Sequence, residues 1–165
     1  MKPKAFFRPK YMLLLGALIG VIALITFRTD IISGIGAFYG VKNLNSAQVS
    51  ERLDGNEFLI LDVREREEFE VSHLKGAVLA SEVDLEILRT DQPILVYCTV
   101  GYRSTELGAT LTKKGFSDIY NLEGGLIRWK NEGFKVYNIH EQPTDSIHVY
   151  SDIFGLLLTD GQAVK

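Results

Sequence analysis

Cysteine is nearly absent from this chain: 165 residues contain one, Cys98. A lone thiol cannot close an internal disulfide, so the fold does not depend on an oxidising compartment. The three histidines, His73, His140 and His148, show no metal-ligand spacing with Cys98 or with each other, and neither a metal nor another cofactor is expected. Internal repeats and low-complexity tracts are missing as well, which excludes solenoids and disordered arrays. A basic excess is lacking where it would matter for nucleic acid. The net charge is −3, and residues 1–28 hold five positive charges (Lys2, Lys4, Arg8, Lys10 and Arg28) with no acid, so subtracting those five leaves −8 for the rest. That acidic remainder argues against a nucleic-acid partner.

One long stretch lacks charge altogether. From Tyr11 to Phe27 the sequence reads YMLLLGALIGVIALITF, which as a helix would span about 26 Å, close to the roughly 30 Å hydrocarbon core. Four positive charges precede it and only Arg28 closely follows, beside Asp30, so the positive-inside rule puts the amino terminus in the cytoplasm. The expectation is a single-pass plasma or inner-membrane protein with its domain on the extracytoplasmic, periplasmic side. The competing reading is a secretory signal cleaved to release the domain. Against it, an h-region runs only about 7–15 residues, and the nearest small-x-small site, Gly34-Ile35-Gly36, lies well past the apolar run. Gly16 and Gly20 form a small-xxx-small pair able to pack two such helices into a homodimer, although that spacing is also common in Gly-rich apolar segments.

With 46% hydrophobic residues, the chain suits one ordinary domain plus an appendage. Its expected divisions are a basic region and anchor over 1–28, a Gly-rich linker over 29–43, a domain over 44–138 and an apolar extension over 139–165. Past Lys42, short apolar runs alternate with helical patterns, the pattern of an α/β domain with a mainly parallel sheet. Ser46 is placed as the N-cap of a helix through Leu53, and Phe58 to Leu61 as a buried strand ending at Asp62. Arg66–Val71 reads as a charged helical turn, Ala77–Leu79 as a short strand and Glu82–Leu88 as an amphipathic helix. Pro93–Tyr97 reads as a strand, Ser104–Lys114 as a helix, Ile119–Tyr120 as a brief strand and Leu126–Glu132 as the last helix. The extension is too apolar for a disordered tail and is expected to dock on its own domain.

Cys98 stands directly after the strand Pro93–Tyr97 and opens the loop Cys98-Thr99-Val100-Gly101-Tyr102-Arg103 before a helix. In parallel sheets ligands bind at the carboxyl ends of strands, and both Cys98 and Asp62 fall at such ends. A thiol there meets the N–H groups of a helix start and the charge of Arg103, surroundings that favour a reactive thiolate. The bland alternative is a buried cysteine acting as a small hydrophobe.

Around this loop stand Leu61-Asp62-Val63-Arg64-Glu65, then His73-Leu74-Lys75-Gly76-Ala77, and afterwards Glu123-Gly124-Gly125 and Trp129. In this order and spacing, residues 44–137 resemble the single-domain rhodanese, or thiosulfate sulfurtransferase, family. The resemblance implies a three-layer α/β fold with a central, mainly parallel sheet, preceded here by the single transmembrane helix. It implies that Cys98 becomes a persulfide, that Thr99, Val100, Gly101, Tyr102 and Arg103 form the substrate-binding loop, and that Arg103 binds the anionic part of the donor. Asp62 and Arg64 would support the loop, more as a buried ion pair than as chemical participants. His73, Gly76 and Ala77 match a structural turn, and Gly124, Gly125 and Trp129 a packing motif. Lys75 departs from the family pattern, which usually has proline there. The membrane segment and the extension lie outside the resemblance.

The reaction expected is transfer of sulfane sulfur from a small sulfur-containing anion such as thiosulfate to a thiol or cyanide acceptor. Two alternatives remain: a binding module that keeps its cysteine incidentally, and a cysteine phosphatase or arsenate reductase. The latter resemble C-x5-R, whereas Cys98 and Arg103 give C-x4-R, a cradle one residue shorter.

Overall fold

The computed structural model describes Gly20 and residues 40–165 apart from Asp54 and Asn56. The expected membrane helix, the Gly16 and Gly20 pair and residues 29–39 of the expected linker therefore lie outside the described residues, Gly20 excepted. Among the described residues, no helix is long and apolar enough to cross a membrane.

Five parallel strands form the central sheet. They are β1 (Lys42–Leu44), β2 (Leu59–Asp62), β3 (Val78–Leu79), β4 (Ile94–Tyr97) and β5 (Ile119–Leu122), in the spatial order β1-β5-β4-β2-β3. β4 lies at the centre, with Asp62 of β2 opposite Tyr97 and Asn121 of β5 opposite Val96. Every residue of β4 is buried, which explains its unbroken apolar run Ile-Leu-Val-Tyr in place of alternation. Side chains nonetheless alternate between two cores. Ile60, Leu95, Tyr97 and Leu122 face a layer built from α1 (Ser46–Leu53), α4 (Gly125–Asn131) and the carboxyl-terminal segment. Leu61, Ile94, Val96 and Ile119 face the opposite layer, where Leu107 and Leu111 of α3 (Tyr102–Lys113) cover them. The result is the three-layer arrangement expected.

Several boundaries differ from the sequence reading. β1 begins at Lys42, inside the expected linker, because Val41 is buried and Lys42–Leu44 pair in register with Tyr120–Leu122. The cap of α1 is Asn45, not Ser46: the Asn45 side chain accepts the Gln48 N–H at 2.9 Å, and Gln48 Oε1 accepts the Asn45 N–H at 3.0 Å. This reciprocal pair is a capping box, and it leaves Ser46 inside the helix and fully buried. The expected helix over Glu82–Leu88 is instead two 3-10 turns, Ala80–Glu82 and Leu85–Ile87, broken where Val83 and Asp84 are extended. The Asp84 carboxylate accepts the Glu86 N–H and starts the second turn, a local bond that competes with continuous helix. β5 runs two residues beyond its expected end at Tyr120, into Asn121 and Leu122, because both are buried against the neighbouring strands.

The short helix α2 (Arg66–Val71) lies next to β8 (Ser146–His148), which pairs in parallel with β9 (Gln162–Val164). A second small sheet joins β6 (Val136–Tyr137) to β7 (Pro143–Thr144). Between β8 and β9 lies the one-turn helix α5 (Asp152–Gly155). Ile147 and Val149 are buried, with Phe154, Leu157 and Leu158 packed against the same core. Asn131 at the end of α4 ties the segment down: its amide donates to Leu157 O at 2.7 Å and accepts the N–H groups of Thr159 and Asp160.

Candidate active site

Cys98 sits at the carboxyl end of β4, with only 1% of its surface exposed. Its Sγ accepts the Gly101 N–H at 3.0 Å, and the Ser104 hydroxyl donates to it at 3.7 Å. Gly101 has φ +94, a left-handed conformation that turns its N–H back onto the sulfur. α3 starts at the next residue, two positions before the expected Ser104, so Tyr102 and Arg103 belong to its first turn.

The loop is held from behind by α4. Leu126 N donates to Cys98 O at 2.9 Å, and Ile127 N to Thr99 O at 3.1 Å. This approach requires glycine at 125: a Cβ there would stand 2.4 Å from Cys98 O and 2.7 Å from the Thr99 carbonyl. The Gly124-Gly125 pair therefore does more than pack, since it lets the α4 amino terminus grip the backbone of the nucleophile.

Arg103, expected to bind the anionic part of the donor, is itself held by a carboxylate of the chain. Its two terminal nitrogens close on the Glu68 carboxylate, each at 2.8 Å, and Nη2 also reaches the Thr99 hydroxyl at 3.3 Å. Glu68, on α2, completes its coordination with the Thr99 hydroxyl at 3.0 Å and the Glu65 N–H at 3.1 Å. The bidentate fork expected to grip the donor is thus committed to a carboxylate that is itself 98% buried, so Arg103 shapes the loop and supplies charge from its remaining edge. Burial alone would raise the Glu68 pKa, but hydrogen bonds from Arg103 and the Glu65 N–H more than offset it and hold the carboxyl below its usual range. Burial likewise opposes the Arg103 charge, and the Glu68 partner overcomes it.

The other expected loop residues divide by exposure. Thr99 is buried, and its hydroxyl donates to Glu68. Val100 is half-buried, and Tyr102 is exposed beside the loop. Asp62 and Arg64 form a wholly buried pair, Nη2 to Oδ2 at 2.6 Å and Nε to Oδ1 at 2.9 Å. Burial works against the Arg64 charge, yet Asp62 keeps its pKa raised. Arg64 Nη1 finds no hydrogen-bond partner among the described residues, while the guanidinium lies 5.7 Å from the centre of the Tyr97 ring. The pair underpins the strand end next to Cys98 without reaching the sulfur. His73 is buried as a turn residue, its Nδ1 2.9 Å from Phe69 O and its ring stacked on Phe69. Trp129 is core, with Nε1 donating to Lys135 O.

Glu68 and Ser104 join the site although neither stands among the residues expected there. Ser104 has a signal in hindsight, since the third residue of a helix beginning at Tyr102 faces back toward its amino terminus. Glu68 carries none, because an acid in a helix's first turn is ordinary.

Residues 45–132 match the family model of the rhodanese-like domain. The chain belongs to the rhodanese-like domain family. It is 29% identical over 93 residues to the thiosulfate sulfurtransferase GlpE of Pseudoalteromonas translucida, covering 54% of this chain and 89% of that protein. It is also 31% identical over 100 residues to the tRNA uridine(34) hydroxylase of Chlamydia abortus, covering 53% of this chain. The chain spans only 31% of that hydroxylase's length. Among solved structures, a rhodanese-related protein from Thermoplasma volcanium superposes with TM-score 0.50 at 28% identity, over 58% of this chain and 96% of that one. A rhodanese-like domain protein from Staphylococcus aureus does so with TM-score 0.50 at 26% identity, over 56% and 95%. The rhodanese-like fold thus accounts for the central sheet and its helices.

Proposed function

We propose that this rhodanese-like domain is a sulfurtransferase that carries sulfane sulfur as a persulfide on Cys98. The observation that carries the reading is the convergence of the Gly101 N–H and the Ser104 hydroxyl on Sγ, in a loop fixed from behind by α4. These donors stabilise anionic sulfur as an oxyanion hole stabilises oxygen. The Cys98 thiolate attacks the outer sulfur of thiosulfate; a new S–S bond forms, the donor S–S bond breaks, and sulfite leaves with the electron pair. An acceptor thiol or cyanide then attacks the outer sulfur and Cys98 departs as thiolate, which makes the cycle ping-pong. Because Cys98 is 1% exposed, the terminal sulfur, the narrow end of the donor, enters the loop first. Arg103 contributes its charge to the departing anion, with its fork held by Glu68.

The test is steady-state transfer from thiosulfate to cyanide by the full chain, with both concentrations varied. Parallel double-reciprocal lines are expected, with activity lost in Cys98→Ser. No turnover with thiosulfate or with organic persulfide donors would favour the binding-module reading. Hydrolysis of a small aryl phosphate by the unmodified chain would favour the phosphatase reading instead. Hydroxylation of tRNA, the activity named for relatives of which this chain spans under a third, draws no support from the −8 charge of residues 29–165.

We propose further that the uncharged run Tyr11–Phe27 anchors the chain, with the domain on the extracytoplasmic side. Protease added to cells stripped of any outer envelope, with the anchoring membrane left intact, would then remove the domain. Protection until the membrane is opened would reverse the orientation, and a shortened soluble product would show signal cleavage.

A further inference from the structure

Away from Cys98, at the carboxyl end of α4, lies a groove of about 580 Å3. Its size falls in the range of small-molecule sites. Trp129, Phe134, Phe58 and Tyr137 line it, with the Trp129 and Phe134 rings 4.6 Å apart and the indole fixed by its bond to Lys135 O. These flat apolar faces are joined by two ammonium groups, Lys75 and Lys135.

The backbone brings together the two segments that carry those lysines. His73 and Tyr137 form an isolated antiparallel bridge, exchanging N–H to O bonds of 2.8 and 2.9 Å. Just past this bridge the chain turns at Lys75 and Gly76, closed by Ala77 N donating to Leu74 O at 3.0 Å, and Lys135 directly precedes β6, so both lysines line the one groove. Two like charges lining one groove disfavour each other and favour an anion. Lys42, Lys114, Lys130 and Lys165 each pair with a carboxylate, whereas Lys75 and Lys135 have no such partner among the described residues. Glu57 lines the same groove but forms an ion pair with neither. Two cations and one acid among its described lining residues, beside four aromatic side chains, leave the groove complementary to an anion with a flat apolar body.

We propose that this groove binds a small aromatic anion, its ring against Trp129 and Phe134 and its charge between Lys75 and Lys135. The site is separate from the Cys98 loop: the amino end of α4 holds that loop, while the opposite end lines the groove.

Trp129 is the chain's single tryptophan, so its fluorescence reports this groove alone. The full chain, in neutral detergent, is titrated with 4-nitrobenzoate and with uncharged 4-nitrobenzamide, two quenchers of matched shape. Saturable quenching by the carboxylate is expected at a concentration about tenfold below that for the amide, a gap in keeping with two exposed charges acting together. Lys75→Gln with Lys135→Gln should erase the difference, Lys75→Arg with Lys135→Arg should retain it, and Cys98→Ser should leave it unchanged. Non-saturating quenching, equal affinities for the two probes, or a preference that survives the double glutamine variant would overturn the proposal.

Discussion

Arg103 and Glu68 meet through both guanidinium nitrogens and both carboxylate oxygens, at 2.8 Å on each side, joining the active loop to a helix 35 positions earlier in the chain. Glu68 is buried, while Arg103 keeps about a third of its side chain exposed. The pair stands where a sulfurtransferase was expected to bind its donor, and it makes the loop's shape depend on α2.

Replacing Glu68 with Gln should therefore weaken both fold and activity. Removing one partner of a fully buried pair costs about 3–5 kcal/mol, and the partial exposure of Arg103 brings the expected loss to about 2–3 kcal/mol. Urea unfolding of Glu68→Gln measures the first effect, and sulfite release in a single turnover the second. An unchanged unfolding midpoint would show that the pair contributes nothing to the loop.

The same pair fixes a pH dependence. Glu68 titrates below its ordinary value despite burial, because Arg103 and the Glu65 N–H favour its charged form. Its stabilisation is therefore complete above the unfolded carboxyl value of about 4.3 and is lost as pH falls through the lower folded value. The stability gap between the natural chain and Glu68→Gln should stay constant from neutral pH down to about pH 5 and narrow below it. Unfolding midpoints across that range give the comparison, and a gap that widens on acidification would contradict the assignment.

Gly125 should tolerate no side chain. Alanine there would put Cβ 2.4 Å from Cys98 O at a φ of +62, which forces the α4 start away from the loop. Left-handed strain and overpacking together suggest a loss of about 2–4 kcal/mol. Sulfur transfer should fall even at temperatures where Gly125→Ala remains folded, as read by circular dichroism beside a turnover assay. Natural activity in a folded Gly125→Ala chain would separate α4 from the chemistry.

Asp62→Asn should be more damaging than loss of both charges. It leaves the Arg64 guanidinium buried without its counter-charge, at a cost of about 3–5 kcal/mol, whereas Asp62→Leu with Arg64→Met removes the unpaired charge. Thermal melts of the two variants should rank in that order.

Much of the domain was legible because local patterns and tertiary burial agree. The Pro93–Tyr97 run, the helix after Gly101 and the position of Cys98 between them all follow from apolar continuity and turn chemistry. Glu82–Leu88 failed because its amphipathic spacing ignored Asp84, whose carboxylate captures a nearby N–H and breaks the helix. Ser46 has the chemistry of a cap, but the reciprocal bonds of Asn45 and Gln48 start the helix one residue earlier. Arg103 was recognised, but its partner was not: the contact with Glu68 is made by the fold, and neither residue signals it locally. The small sheets of residues 136–164 were equally hidden, since pairs of two or three residues carry no periodicity.

The central claim is that Cys98 carries sulfur, and intact-mass spectrometry of the full chain after brief exposure to thiosulfate tests it most directly. The account predicts a gain of one sulfur atom, located to Cys98 by peptide fragmentation, removed by cyanide and absent from Cys98→Ser. A chain whose mass stays unchanged while it turns thiosulfate over, or an adduct that persists in Cys98→Ser, would contradict it.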